Sequence, residues 1–201
     1  DLVTLQQYKD FVGLQGVQND ARINHIIDNV SQLVKSYCAS TIIDYASSAK
    51  TEYFTIKDDL VDTIILEESP IISVTSVQER TGQADAYVTL ITENSDSSGK
   101  YEYVVNEDSD SITRTSDSST KYWPKGHKSV KVVYTAGYTS TPEDLKLAVF
   151  DLIKYYLKDE RKERMSIAGA TVENAVSSSL SGNIGFPDHI KRILDMYKIY
   201  S

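Results

Sequence analysis

Read from the N-terminus, apolar positions first recur at helical spacing. Thr4, followed by Tyr8 and Phe11 and closed by Gly13, predicts a short capped helix. A longer helix is predicted from Asn19 or Asp20, whose side chains can accept hydrogen bonds from the unpaired backbone N–H groups of the first turn. Its apolar stripe is Ile23, Ile26, Ile27, Val30, Leu33, Val34, Tyr37 and Cys38, and steps of three and four put these on one face over about five turns.

From about Tyr53 the period changes. Residues 53–56, 63–66 and 71–77 are rich in β-branched and aromatic side chains, with Pro70 dividing the last two. The series continues at 87–92, 101–105, 112–115 and 130–135, and the stretches 93–99, 107–111 and 116–120 read as turns. Helix returns at Thr141-Pro142-Glu143-Asp144, which predicts an N-cap hydroxyl, a proline at the first helical position and acids in the positive first turn. Leu145, Ala148, Val149, Leu152, Ile153, Tyr156 and Leu157 follow at helical period, and Lys158, Arg161, Lys162 and Arg164 gather where the helix dipole is negative. Ser166 to Gly185 is small, polar and Gly/Ser-rich, too poor in apolar area to order itself. A last helix is predicted from Pro187-Asp188, with Ile190, Ile193, Leu194 and Tyr197 on one side.

The pattern predicts an α+β fold in which N- and C-terminal helices form a small bundle and a mostly antiparallel β-sheet or small barrel is inserted between them. Its parts are the N-terminal helices of the bundle (1–46), a β-rich insertion (47–136), the long helix of the bundle (137–165), and a flexible arm with the C-terminal helix (166–201).

Charge sharpens this picture. The 201 residues carry a formal −8, and between Asp85 and Asp117 eight acids face only Lys100 and Arg114. Tight DNA binding is disfavoured, because affinity for phosphate comes from Lys and Arg that displace counterions. The chain is expected to be soluble, since no apolar run approaches the ~20 residues that span a bilayer and no export signal opens the sequence.

Candidate chemistry is sparse. The one cysteine, Cys38, lies on an apolar helical face, so neither an intrachain disulfide nor a Cys-rich metal site is expected. His25, His127 and His189 are scattered, and no phosphate loop, nucleophile elbow or His-Glu-x-x-His occurs. Glu107, Asp108, Asp110 and Asp117 lack the spacing of a calcium loop and read as solvated hairpin tips. No enzyme, cofactor or metal is expected. Tyrosine is over-represented, with 14 against four phenylalanines, and Tyr155, Tyr156, Tyr197 and Tyr200 fall on the late helices, where either an interface or a core edge suits them. Trp123 before Pro124 fits a buried anchor and an interface equally well.

The run Val130-Lys-Val-Val-Tyr-Thr-Ala-Gly-Tyr-Thr-Ser-Thr-Pro-Glu-Asp-Leu-Lys-Leu147 resembles the head-tail connector (adaptor, head-completion) proteins of tailed bacteriophages. The resemblance rests on Tyr134, Ala136, Gly137, Tyr138, Pro142, Leu145, Lys146, Ala148, Tyr155, Tyr156 and Arg161, on Thr4 to Lys9 and Asp20 to Cys38, and on Trp123-Pro124. Physically the motif is a strand-to-helix corner: Gly137 can take positive φ, Tyr138 can brace the bend, and Thr141 with Pro142 restarts the helix. Residues 47–120 make a larger β insertion than a minimal connector needs.

The resemblance implies a structural virion protein at the capsid-tail junction, made in the host bacterial cytoplasm. Such a subunit forms a homo-oligomeric ring, twelve-fold when assembled, under the portal protein. It binds a downstream neck or tail protein and extends a channel through which DNA passes without specific binding; no membrane is involved. Candidate interface positions are Tyr155, Tyr156, Arg161, Arg164, Phe186 and Tyr197. Glu107, Asp108 and Asp110 either face the channel and repel DNA or point to solvent. Two alternatives stand beside this reading: another tail or baseplate ring component, and a β-rich carbohydrate- or peptide-binding module on a helical base, using an exposed cluster of Tyr87, Tyr101, Tyr103 and Trp123.

Overall fold

The computed structural model describes residues 1–92, 100–116, 119–158, 164–167, 170–173 and 186–199, and these form two compact units. One is helical, residues 1–40 with 140–200; the other is β-rich, residues 41–139. The chain enters the β unit after Ser40 and leaves it after Thr139.

The helical unit opens with α1 (Leu5–Val12), held at its start by a reciprocal capping box: the Gln7 backbone N–H donates to Thr4 Oγ1, and the Thr4 N–H donates to Gln7 Oε1. Gly13 ends it in the left-handed conformation, as its position predicts. In α2 (Asp20–Cys38) the expected stripe is buried at Ile23, Ile27, Val30, Val34 and Cys38. Its start differs from expectation. Asn19 makes no side-chain cap, and the Asp20 carboxylate is engaged by Lys9 Nζ at 2.9 Å instead. The stripe of α3 (Glu143–Leu157) is buried from Leu145 to Ile153, and α4 (Asp188–Met196) buries Ile190 and Leu194. Tyrosine tips tie these helices together: the Tyr37 hydroxyl donates to Asp195, and that of Tyr197 to Asp144 at 2.6 Å.

Thr141 corrects the reading of the α3 start. Pro142 is the cap residue and offers no side-chain cap; of the first-turn N–H groups, that of Leu145 donates to Asp144 Oδ1 at 2.9 Å. The buried Thr141 hydroxyl instead donates to the Leu2 carbonyl at 2.6 Å, pinning the N-terminal segment to the start of α3. Within the segment expected to be an arm, β9 (Arg164–Ile167) and β10 (Ala170–Glu173) pair antiparallel, with Arg164 opposite Glu173. The remainder, 168–169 and 174–185, lies outside the described residues, as does Arg161.

In the β unit the described residues form two antiparallel sheets and no closed barrel. The first joins β1 (Lys50–Ile56), β3 (Ile71–Glu79), β4 (Val88–Thr89) and β8 (Gly126–Ala136) in the order β1-β8-β3-β4. The second joins β2 (Thr63–Ile65), β6 (Ser111–Ser116) and β5 (Tyr103–Asn106), with β7 (Ser119–Thr120) also pairing with β6. Alternation along the central β8 sends Val130, Val132, Tyr134 and Ala136 into a core that includes Ile56, Ile64, Leu66, Val77, Leu90, Tyr103, Ile112 and Trp123. Of the two readings open for Trp123, the structure selects the anchor, at 1 % exposure.

Candidate assembly site

Gly137 stands where the chain prepares to leave the β unit. Its φ is +95°, and an added Cβ would lie 2.3 Å from the Ile42 carbonyl oxygen, so any side chain meets immovable backbone. The Gly137 N–H donates to the Pro70 carbonyl at 2.8 Å, the Tyr138 N–H to the Ile42 carbonyl at 2.8 Å, and the Ala136 N–H to the Tyr45 carbonyl at 3.1 Å. Incoming and outgoing segments of the unit are thus stapled together. The Tyr138 ring is partly exposed, at 37 %. Pro142 caps α3 from the helical unit.

Tyr134, the first residue of the expected corner, is fully buried and ties β8 to both flanks. Its hydroxyl donates to Glu52 Oε2 at 2.8 Å and accepts from the Glu68 N–H at 3.2 Å. Burial, then the hydrogen bond and negative charge of Glu52, push the phenol far above its ordinary pKa. Burial likewise raises the Glu52 carboxyl, against the pull of Tyr134 and Lys50. For Lys50, burial is outweighed by Glu67, Glu68 and Glu52, and the ammonium is held above its usual value.

A second polar centre gave no signal in the sequence. Arg114 on β6 is completely buried, and its guanidinium forks onto Glu79 at the end of β3, with two bonds of 2.9 Å. It also donates to the Glu102 and Thr115 carbonyls and lies over the Trp123 ring. One side chain therefore bonds across both sheets, satisfying the donors that burial would otherwise leave unpaired. In the sequence Arg114 is only a charge offsetting the acids; strand pairing, invisible in one sequence, gives it this place.

The acidic positions do different things. Glu107 and Asp108 are exposed on a 3-10 turn between β5 and β6, and among the described residues neither has a hydrogen-bonding or ionic partner. Asp110 is no free tip: its carboxylate accepts from Ser69 Oγ at 2.6 Å and from the Ile71 N–H at 2.9 Å, tethering that turn to the start of β3. Of the interface positions, Phe186 is 3 % exposed with its ring edge-on to Tyr37. Tyr155 and Tyr156 are half-buried and in mutual edge contact. Tyr155 lines an open groove of about 230 Å³ with Asp151, Lys154 and His189, a mixed-charge lining that selects no ligand.

The outer face of the first sheet holds a grouping the sequence reading missed. Tyr53 on β1 pairs in register with Lys131 on β8, which pairs with Gln78 on β3. At that end the Tyr53 and Tyr87 rings lie 6.3 Å apart, with Lys128 over Tyr53 and Arg80 and Lys131 over Tyr87. Among the described residues, none of these three cations pairs with a carboxylate.

Among the described residues no group of three or more His, Cys, Asp or Glu is placed to hold a metal, and no helix is long and apolar enough to cross a membrane. Burial, reinforced by Asp195, raises the Cys38 thiol to about 11, which removes its nucleophilic form at neutral pH. The aromatic cluster required by a carbohydrate module is not displayed: Tyr103 and Trp123 are in the core, and Tyr87 and Tyr101 are half-buried.

Comparison with known proteins agrees with the architecture. The head completion protein of Escherichia phage T5 is 34 % identical over 76 residues, 37 % of this chain, and the chain spans only about two-fifths (41 %) of that relative's length. The fold matches a chain in the neck of an empty gene transfer agent (GTA) particle computed with C6 symmetry, with TM-score 0.60, 16 % identity and coverage of 100 % of this chain and 91 % of that one. It also matches a chain in the neck of the native GTA particle computed with C12 symmetry, with TM-score 0.58, 15 % identity and coverage of 100 % and 95 %. At such identities the likeness shows the fold. Family comparison reaches further, covering residues 1–200, and establishes that the chain belongs to the head completion protein family.

Proposed function

We propose that this chain is a structural protein of the virion neck that assembles as a homo-oligomeric ring, twelve-fold in the particle, beneath the portal. There it joins the DNA-filled capsid to a downstream neck or tail protein and extends the channel for DNA. The observation that carries this reading is membership of the head completion family over residues 1–200. The shared fold with chains in C6 and C12 necks supports a ring, because a head-to-tail contact repeated about one axis closes when the rotation per copy divides a full turn.

In this reading the ring is held first through the helical unit, and Tyr155, Tyr156 and Arg164 lie near the surface it uses. The C-terminal helix α4 docks on the portal or on a neighbouring copy. The work is done by packing and requires no turnover; DNA passes without specific contact. Adding purified chain to tailless, DNA-filled capsids that lack it tests the role. The expected result is retained DNA and acceptance of tails. Capsids that stay leaky and tailless while the added chain remains unbound would overturn it.

A further inference from the structure

The β unit is acidic overall, and one basic group stands out against it. Residues 41–139 carry 16 of the 29 acidic side chains and nine of the 21 basic ones, a formal −7 of the chain's −8. Against that background, Arg80, Lys128 and Lys131 converge on Tyr53 and Tyr87, with none of the three cations neutralised among the described residues. The group is preorganised. Arg80 is fixed by donating to the carbonyls of His127, Lys128 and Gln83, and the Tyr87 hydroxyl donates to the Lys128 carbonyl at 2.6 Å. The Lys128 and Lys131 ammonium groups remain to meet an anion.

The opposite end is negative. Glu107 and Asp108 project from a turn whose position is set by Asp110, which is bonded to Ser69 and to the first residue of β3. The basic group sits at the other terminus of β3, where Arg80 follows Glu79. Nine residues of strand at about 3.3 Å each separate the two ends by roughly 25–30 Å, so they cannot meet within one copy. A basic group and an acidic tip at opposite ends of β3 suit a head-to-tail contact, whereas a two-fold contact would set like against like.

We infer that in the assembled ring the Arg80-Lys128-Lys131 face of one copy, with its Tyr53 and Tyr87 rings, receives the Glu107-Asp108 tip of the next copy. The contact rests on the ring reading above and adds to it a β-unit interface that sets the direction of neighbours. It also places the acidic tip against a neighbour, away from both the channel and free solvent. Charge complementarity favours this occupant over nucleic acid, because DNA approaching the face must also approach a unit of net −7.

The test uses the whole chain on portal-bearing capsids and in solution, with assembly followed by native mass spectrometry and vertex imaging. Lys128→Glu with Lys131→Glu, or Glu107→Lys with Asp108→Lys, is expected to raise the concentration for half-assembly by about tenfold at ~0.1 M salt, with a smaller effect at high salt. The chain carrying all four reversals has complementary ends again and regains assembly. Circular dichroism matching the wild type shows that these surface changes leave the fold intact. A wild-type ring that tolerates either pair of reversals overturns the contact and leaves the ring standing. A wild-type chain that never closes overturns the ring and the contact together. Loss of duplex DNA binding with assembly unchanged in Lys128→Glu/Lys131→Glu assigns the face to nucleic acid and also overturns the contact.

Discussion

Gly137 meets a constraint that no other residue satisfies, because its positive φ coincides with a carbonyl oxygen 2.3 Å from where a Cβ would stand. Gly137→Ala is expected to lose at least about 1–3 kcal/mol from backbone strain alone, read as a lower midpoint in denaturant; an unchanged midpoint contradicts the stapled geometry. Arg114 is the other residue on which the β unit turns. Arg114→Ala strands Glu79 and leaves a void, an expected loss of about 3–5 kcal/mol, while Arg114→Met with Glu79→Met recovers much of it by removing both charges. If the double variant is no better than the single one, the ion pair is not the source of the loss. Tyr134 supplies a pH signature. Its phenol is raised in the folded state, so its contribution to stability is complete below a tyrosine's ordinary pKa of about 10 and is lost as pH rises through the raised value. Above about pH 10 the wild type should lose stability more steeply with pH than Tyr134→Phe. Parallel curves would show that the hydroxyl is not held by Glu52 as described.

At the scale of elements, the helices were legible because each writes its own signals locally. Thr4, Gly13 and the stripe from Ile23 to Cys38 need no knowledge of distant residues, and they map onto α1 and α2. Thr141 shows the limit of such reading. A hydroxyl before Pro142 has the sequence of a cap, yet it donates to the Leu2 carbonyl and the cap position falls to Pro142. Thr141→Val is therefore expected to cost about 1–3 kcal/mol by leaving that carbonyl unpaired, whereas Thr141→Ser stays near wild type in the same melting experiment. The strands were legible as segments but not as a sheet. Alternation locates β1, β3 and β8, but nothing local says that β8 lies between the other two. That single non-local fact puts Tyr53 beside Lys131 and Tyr134 beside Glu52. The Arg114 fork and the basic face, both missed in the sequence, depend on non-local placement of this kind.

For the molecule as a whole, the β-rich unit runs from Thr41 to Thr139, beginning ahead of the change of period at about Tyr53 and ending just before the helical signal at Thr141. The polar groups of both units are largely spent on holding the fold: Tyr37 on Asp195, Tyr197 on Asp144, Tyr134 on Glu52 and Arg114 on Glu79. Among the described residues no group of three or more His, Cys, Asp or Glu is left to hold a metal. Under the proposed function, what remains at the surface, shape and charge, is what recognises neighbouring copies. Membership of the head completion family is the ground for that reading. The most direct test is cryo-electron microscopy of the neck of the intact particle, at a resolution that traces side chains. The account predicts a closed ring of this chain against the portal, with the β3 termini of adjacent copies facing each other. A neck traced completely without this chain would contradict it.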